Sequence, residues 1–278
     1  MKFYLYSILL FMLFACSQSE KNDNTTKKYF QKYTEVQEKI IEEYSTQCAK
    51  RHNYTVEMNE WQACLDKGLE KDSTISYLWQ QKAMPLFKAR KYEVGMPFID
   101  KAVQYNPQKY LSYRAFIKCI FSKEYKAAII DFEAAIALHG NSYEMDHTYQ
   151  FYIALSYLQL NEFEKAETIF TADIKDQASE FEDGAHYLDL FYFGITKYEL
   201  GKYEEAITQF DLALKSYPNF AEVLFYKGMC LARLEKTDEE VLSIVKEAAK
   251  EGKAGNTINE DNVIYEQYPY QMRWQHNH

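Results

Sequence analysis

The chain has few residues that break helices: 9 glycines and 5 prolines in 278 positions. A fold of many short strands needs turn residues at frequent, regular intervals, so this scarcity argues for long helices. No block of Lys and Arg occurs, and the formal net charge of −9 weighs against nucleic acid as a partner. The 6 histidines stand at 52, 139, 147, 186, 276 and 278, in loops, helix starts or the C-terminal tail, and none sits at i, i+4 with another His or a Glu in a metalloprotease arrangement. There is no G-x-S-x-G, no phosphate loop and no C-x-x-C. The acidic pairs Glu204-Glu205 and Glu239-Glu240 open helices, where carboxylates favour the helix dipole. The expectation is a non-enzyme with no catalytic residues, no metal ligands and no cofactor. What the chain does have is a large apolar content, 47%, against 26% charged residues, enough to bury a core. Its 25 Tyr and 18 Phe are unusually many.

Met1-Lys2 opens a weakly basic start, and Phe3 to Phe14 form an apolar run too short to span a bilayer but suited to a secretory signal. The run ends Leu13-Phe14-Ala15-Cys16, with Leu at −3, a small residue at −1 and then Cys. This resembles the lipobox of bacterial lipoproteins. The resemblance implies a signal peptide over 1–15, cleavage before Cys16, and acylation of its thiol and new amino group by chains such as palmitate. Residues 16–28 then read as a polar tether. No Asp follows Cys16, which by analogy with enteric bacteria implies the outer membrane, facing the periplasm.

Residues 29–72 read as a helical hairpin. One helix is expected over 29–51, with Tyr33, Val36, Ile40 and Tyr44 on one side, and a second over 57–70. Cys48 and Cys64 lie almost symmetrically about the intervening turn and should come level. In an oxidising compartment they could form a disulfide worth about 3 kcal/mol, or remain two core thiols, since packed helix axes are slightly wide for the bond. Cys119 and Cys230 are expected as buried apolar residues.

Residues 187–220 carry two amphipathic helices broken at Leu200-Gly201-Lys202, the second stopped by Pro218. Leu190, Phe193, Gly194, Ala206, Phe210 and Pro218 resemble the pattern of the tetratricopeptide repeat (TPR), with Leu190 in place of its Trp and Lys197 in place of its Tyr. The small position of the second helix recurs at Gly95, Ala128, Ala166, Ala206 and, imperfectly, Glu240. Four residues later stand Ile99, Phe132, Phe170, Phe210 and Ile244; twelve earlier stand Ala83, Phe116, Ala154, Gly194 and Gly228. The fold expected is therefore all-α, a TPR-like solenoid of about five repeats over 73–254, with insertions near His139-Gly140 and Asp176 to Gly184. Phe116 is too large for a close-packing site, so the second repeat should be shifted by a residue. Pro85 and Pro97 fall inside helices of the first repeat.

In TPR arrays the first helix of each repeat lines a concave groove. Carrying those positions over by phase implies a partner-binding groove of Tyr113, Arg114, Phe151, Tyr152, Phe191, Tyr192, Phe225 and Tyr226. The Phe rings are expected to pack against the neighbouring repeat, and Tyr152, Tyr192 and Tyr226 to face the groove. Lys88, Arg114 and Arg233 are too scattered to copy the carboxylate clamp of chaperone-binding TPRs. The tail, 255–278, lacks helical period but is apolar; it is expected to cap the last repeat, the other course open to it being the groove. Function is expected to be that of a membrane-anchored scaffold or adaptor for an envelope protein or peptide, similar in architecture to barrel-assembly lipoproteins. The alternatives are an oligosaccharide-binding lipoprotein, with rings stacking on sugars, and a self-associating structural protein.

Overall fold

The computed structural model describes residues 32–180 and 184–274. The expected signal peptide, Cys16, the tether, and His276 and His278 lie outside the described residues. Twelve α-helices follow one another as six helical hairpins among the described residues: α1 (Glu35–Ile41), α2 (Met58–Lys71), α3 (Ser76–Lys88), α4 (Tyr92–Tyr105), α5 (Pro107–Phe116), α6 (Tyr125–His139), α7 (Tyr149–Gln159), α8 (Phe163–Glu180), α9 (Tyr187–Glu199), α10 (Tyr203–Ser216), α11 (Ala221–Arg233) and α12 (Asp238–Lys253). Each helix packs on its neighbours in sequence, which is the contact pattern of a solenoid.

The repeat phase is written into the turns. Arg90, Lys123, Asn161, Gly201 and Glu235 all have positive φ and are spaced 33, 38, 40 and 34 residues apart, the spacings of the Gly/Ala positions in sequence. Each ends the first helix of a hairpin. The following N–H then reaches back five residues to a helix carbonyl: Lys91 to Leu86, Glu162 to Tyr157, Lys202 to Lys197 and Lys236 to Leu231. This bond satisfies a carbonyl that the helix end would otherwise leave open. In the second repeat the corresponding bond spans six, Glu124 N–H to Lys118 O, because a π-helical turn (Ile117–Phe121) adds a residue. Ala115, fully buried, thereby takes the close-packing phase, one residue before Phe116.

Close approach within a hairpin rests on glycine. A Cβ on Gly194 would sit 2.4 Å from Cε1 of Phe210, and one on Gly95 2.6 Å from Cε1 of Phe87. Lys197, where the family has Tyr, reaches both Glu167 and Glu205 at 2.6 Å and so ties α9 to α8 and α10. Pro97 is exposed, so the carbonyl it cannot serve, that of the exposed Glu93, is open to solvent. Pro85 is buried and cannot donate to Gln81 O; that carbonyl instead accepts from the indole of Trp61 in α2 at 3.0 Å.

Three segments depart from the sequence reading. The single helix expected over 29–51 is α1, a π-helical turn (Glu42–Thr46) and a 3₁₀ turn (Ala49–Arg51). Cys48, between these two turns, forms a disulfide with Cys64, their Cα atoms 5.7 Å apart. The insertion expected at 176–184 is partly helical, since α8 runs to Glu180. The insertion after His139 holds a small antiparallel ribbon, β1 (Tyr143–Glu144) and β2 (His147–Thr148), turning at Met145 with φ +50°. Among the described residues no helix is long and apolar enough to cross a membrane.

Candidate functional site: an occupied concave groove

The tail is irregular, as expected, but it enters the groove rather than covering the outer face of α12. That outer face carries Glu239, Ser243, Lys246, Glu247 and Lys250 around an exposed Leu242, and is mostly polar. Ala221 N–H donates to Asn256 O at 2.8 Å, starting the tail beside α11. The chain then crosses to the first repeat, where Arg90 Nε donates to Tyr265 O at 2.8 Å and Tyr92 donates to Glu266. It turns and comes back. Lys123 Nζ donates to Gln267 O at 2.7 Å, Tyr192 Oη to Pro269 O at 2.9 Å, and Tyr270 Oη to Glu199 at 2.8 Å. The returning arm ends at α11: Glu222 Oε1 accepts from Met272 N–H at 3.2 Å and from the Trp274 indole at 3.4 Å. Trp274 lies against the bare Cα of Gly252.

This placement changes the expected exposure of the site. Tyr152 and Tyr192 are 1% and 0% exposed, not open to a ligand. Tyr152 stacks on Phe132 with centroids 5.1 Å apart and donates to Glu144 O at 3.1 Å. Tyr192 is sealed by Pro269, Tyr226 meets Tyr270 edge-on, and Phe225 meets Trp274. Phe151 and Phe191 are fully buried against Phe170, and against Phe210 and Phe220. Arg114 is a correction of another kind. Its guanidinium grips both oxygens of Asp131 and one of Asp100, each at 2.8 Å, so it ties α5 to α4 and α6. Three of its N–H groups, one on each nitrogen, are thus committed within the fold. Tyr113 does face open space: with Met84, Lys88, Met145 and Tyr265 it lines a cavity of about 440 Å³ beside the tail.

The tail also completes a polar cluster whose members sequence reading left apart. The ribbon sets His147 just ahead of α7, and His186 is the N-cap of α9. His147 Nδ1 contacts Asp189 Oδ1 at 2.5 Å, and its ring stacks on Phe151 with centroids 4.1 Å apart. Asp189 Oδ2 accepts from Gln177, which also donates to Asp173. From the tail, Glu260 brings Oε1 to 3.5 Å from His147 Nε2, and the His186 ring lies 5.0 Å from that of His147. Burial opposes charge on His147, but Asp189 and then Glu260 outweigh it and push the ring up to about 10. Burial, followed by the charge of His147, holds His186 below its ordinary value. The signal that could have found this cluster is positional: both histidines stand at the starts of first helices in adjacent repeats.

Packing, turn phase and groove define an all-α TPR fold. Residues 193–256 match the tetratricopeptide repeat family. No curated protein matches the chain. Solved structures do. The structure of PilW, a widely conserved type IV pilus biogenesis factor, is similar with a TM-score of 0.59 at 13% identity, over 80% of this chain and 94% of that one. A tetratricopeptide repeat protein from Parabacteroides merdae gives 0.59 at 14% identity, over 83% and 96%. The C-terminal part of a TPR protein from Cytophaga hutchinsonii gives 0.56 at 16%, over 74% and 77%. At such identities the likeness is one of fold.

Proposed function

We propose that the protein is a non-enzymatic TPR scaffold whose concave face holds an extended segment of an envelope protein, in competition with its own tail. The observation that carries this reading is how the groove holds the tail. Arg90, Lys123 and Tyr192 all bind main-chain carbonyls, contacts any peptide offers whatever its side chains. The returning arm adds apolar contacts from Tyr268, Tyr270 and Trp274 to the aromatic wall. Donors aimed at main-chain carbonyls favour a peptide over a sugar. The lipobox-like Leu13-Phe14-Ala15-Cys16 supports acylation of Cys16 and attachment to an envelope membrane, the outer one facing the periplasm.

The test loosens the tail without altering the groove. Tagged full-length protein is extracted in mild detergent as wild type, as a tail variant (Tyr268→Ala with Trp274→Ala) and as a groove variant (Tyr192→Ala with Tyr226→Ala). Circular dichroism first shows that each folds. The tail variant should retain more of an envelope protein than wild type, and the groove variant less. Equal retention by all three would reject the groove as the binding site. A change of the protein's own mass in the tail variant would point instead to exchange of tails between copies.

A further inference from the structure

We propose that His147, His186 and Glu260 form a binding site for one divalent transition-metal ion of the zinc class, and that this ion fastens the tail to the repeats. One ligand atom from each residue lies within 4.8 Å of the other two. Tetrahedral zinc with bonds near 2.0–2.1 Å places its ligand atoms about 3.4 Å apart. The His147 Nε2 to Glu260 Oε1 edge is already 3.5 Å, so only the half-buried His186 ring has to swing inward. That movement gives up a long bond, 3.3 Å, from Leu188 N–H to His186 Nδ1.

Independent of the clustering, His147 Nε2 is fully buried and makes no hydrogen bond; its approach to Glu260 lacks the geometry of one. A buried nitrogen that faces a carboxylate at 3.5 Å but makes no hydrogen bond to it is poorly satisfied, and an ion between the two would satisfy both. Its other nitrogen is held by Asp189, and Asp189 is itself fixed by Gln177. A carboxylate on the far nitrogen of a histidine is the usual support of a metal-bound imidazole, fixing ring and tautomer. Two imidazoles and a carboxylate suit zinc-type ions, and the fourth position is left to water. The two carboxylates, Asp189 and Glu260, match the charge of a divalent ion. Access exists too: a cavity of about 350 Å³ lined by Asp146, Gly184, His186 and Tyr187 opens onto the cluster from outside. Because Glu260 belongs to the tail and both histidines to the repeats, occupancy would hold the tail's outgoing arm in place. The site does not depend on the identity of the groove's ligand, but a ligand that displaced the outgoing arm would take Glu260 out of it.

The experiment uses the full chain, carrying no polyhistidine tag and with His276 and His278 replaced by Ala, freed of metal with a chelator. Zinc chloride is titrated calorimetrically, and cobalt(II) is added in parallel for its visible spectrum. Expected are one zinc per chain, a tetrahedral-type cobalt spectrum, and slower chymotryptic cleavage in the tail when zinc is present. His186→Ala and Glu260→Gln should each lose the cobalt spectrum and the zinc protection. Asp189→Asn, which keeps all three ligands, should weaken zinc by about 10–100-fold. Thermal melting shows that each variant folds; His147 is left intact because its burial makes it the variant most prone to misfold. No zinc uptake by the folded parent, or uptake that His186→Ala and Glu260→Gln leave unchanged, would overturn the site.

Discussion

Tyr192 and Pro269, 77 residues apart in sequence, are joined by a buried hydrogen bond of 2.9 Å from the phenol to the prolyl carbonyl. The bond crosses the interface between array and tail, so it reports directly on whether the groove is filled. Tyr192→Phe keeps the ring in its packing against Phe151 and Phe191 but leaves the carbonyl without its donor. Such a loss costs about 1–3 kcal/mol when the orphaned group stays buried. Here the tail can relieve the cost by detaching. The expected result is therefore a modest drop in melting temperature with faster amide exchange confined to residues 256–274. Unchanged exchange in that segment would mean that the other tail contacts suffice.

The phase of the array was legible because it is carried by sterics that only a few residue types satisfy. Gly194 beneath Phe210 and Gly95 beneath Phe87 mark where helices meet, and their spacing survives insertions placed between repeats. Only the turn at Gly201 was legible, because the other four positive-φ positions hold Arg, Lys, Asn or Glu in place of Gly. The left-handed conformation costs little enough there that the end of the hairpin enforces it. Only one π-helical turn left a trace, as the misfit of Phe116. The groove residues were placed by phase and the packing of Phe151 and Phe191 was expected, but the burial of Tyr152 and Tyr192 was hidden, since nothing in an aperiodic tail announces where it docks. Arg114 shows the limit most plainly: its partners Asp100 and Asp131 lie on other helices, and helix-face arithmetic on α5 cannot see them.

Pro85 and Trp61 form a compensating pair, and their coupling is measurable. The proline withholds the donor that Gln81 O would have received within α3, and the Trp61 indole supplies one from α2. Trp61→Phe should cost about 1–3 kcal/mol, mostly from the carbonyl left open. Pro85→Ala restores a helical N–H at that carbonyl, so Trp61→Phe should cost less in its presence. A double-mutant cycle from denaturant unfolding is expected to give a coupling of about 1 kcal/mol. Additive effects would show that the indole acts only through its packing.

Gly194 sits where a methyl group would lie 2.4 Å from a ring carbon of Phe210, itself fully buried. Alanine in a helix is favoured over glycine by about 1 kcal/mol. Overpacking a filled core costs about 1–3 kcal/mol. The steric term should win, because Phe210 is fully buried and packed on Phe191. Gly194→Ala is thus expected to lower stability by up to about 2 kcal/mol relative to wild type, taking the difference of the two effects. Phe210→Leu costs stability alone, but adding Gly194→Ala to it should then be close to neutral or stabilising. Denaturant midpoints of the four proteins would decide.

Glu222 gives the pH dependence its sign. Burial raises its carboxyl above the ordinary carboxylate range, and the Met272 N–H and Trp274 indole only partly offset this; Oε2 is buried with no partner. The folded protein therefore binds a proton at Glu222 at pH values where the unfolded chain has released it. Stability falls with rising pH wherever the native state holds more protons than the unfolded one. The contribution of this residue is most favourable at or below the ordinary pKa of a glutamate, about 4.3, and is lost as pH rises towards the folded value. Glu222→Gln removes the titration while keeping an oxygen that can accept from Met272 and Trp274. Melting temperatures of the two proteins, measured from pH 4.5 to 8, should shift progressively in favour of the Gln variant as pH rises. A difference constant over that range would mean that Glu222 titrates alike in the folded and unfolded chains.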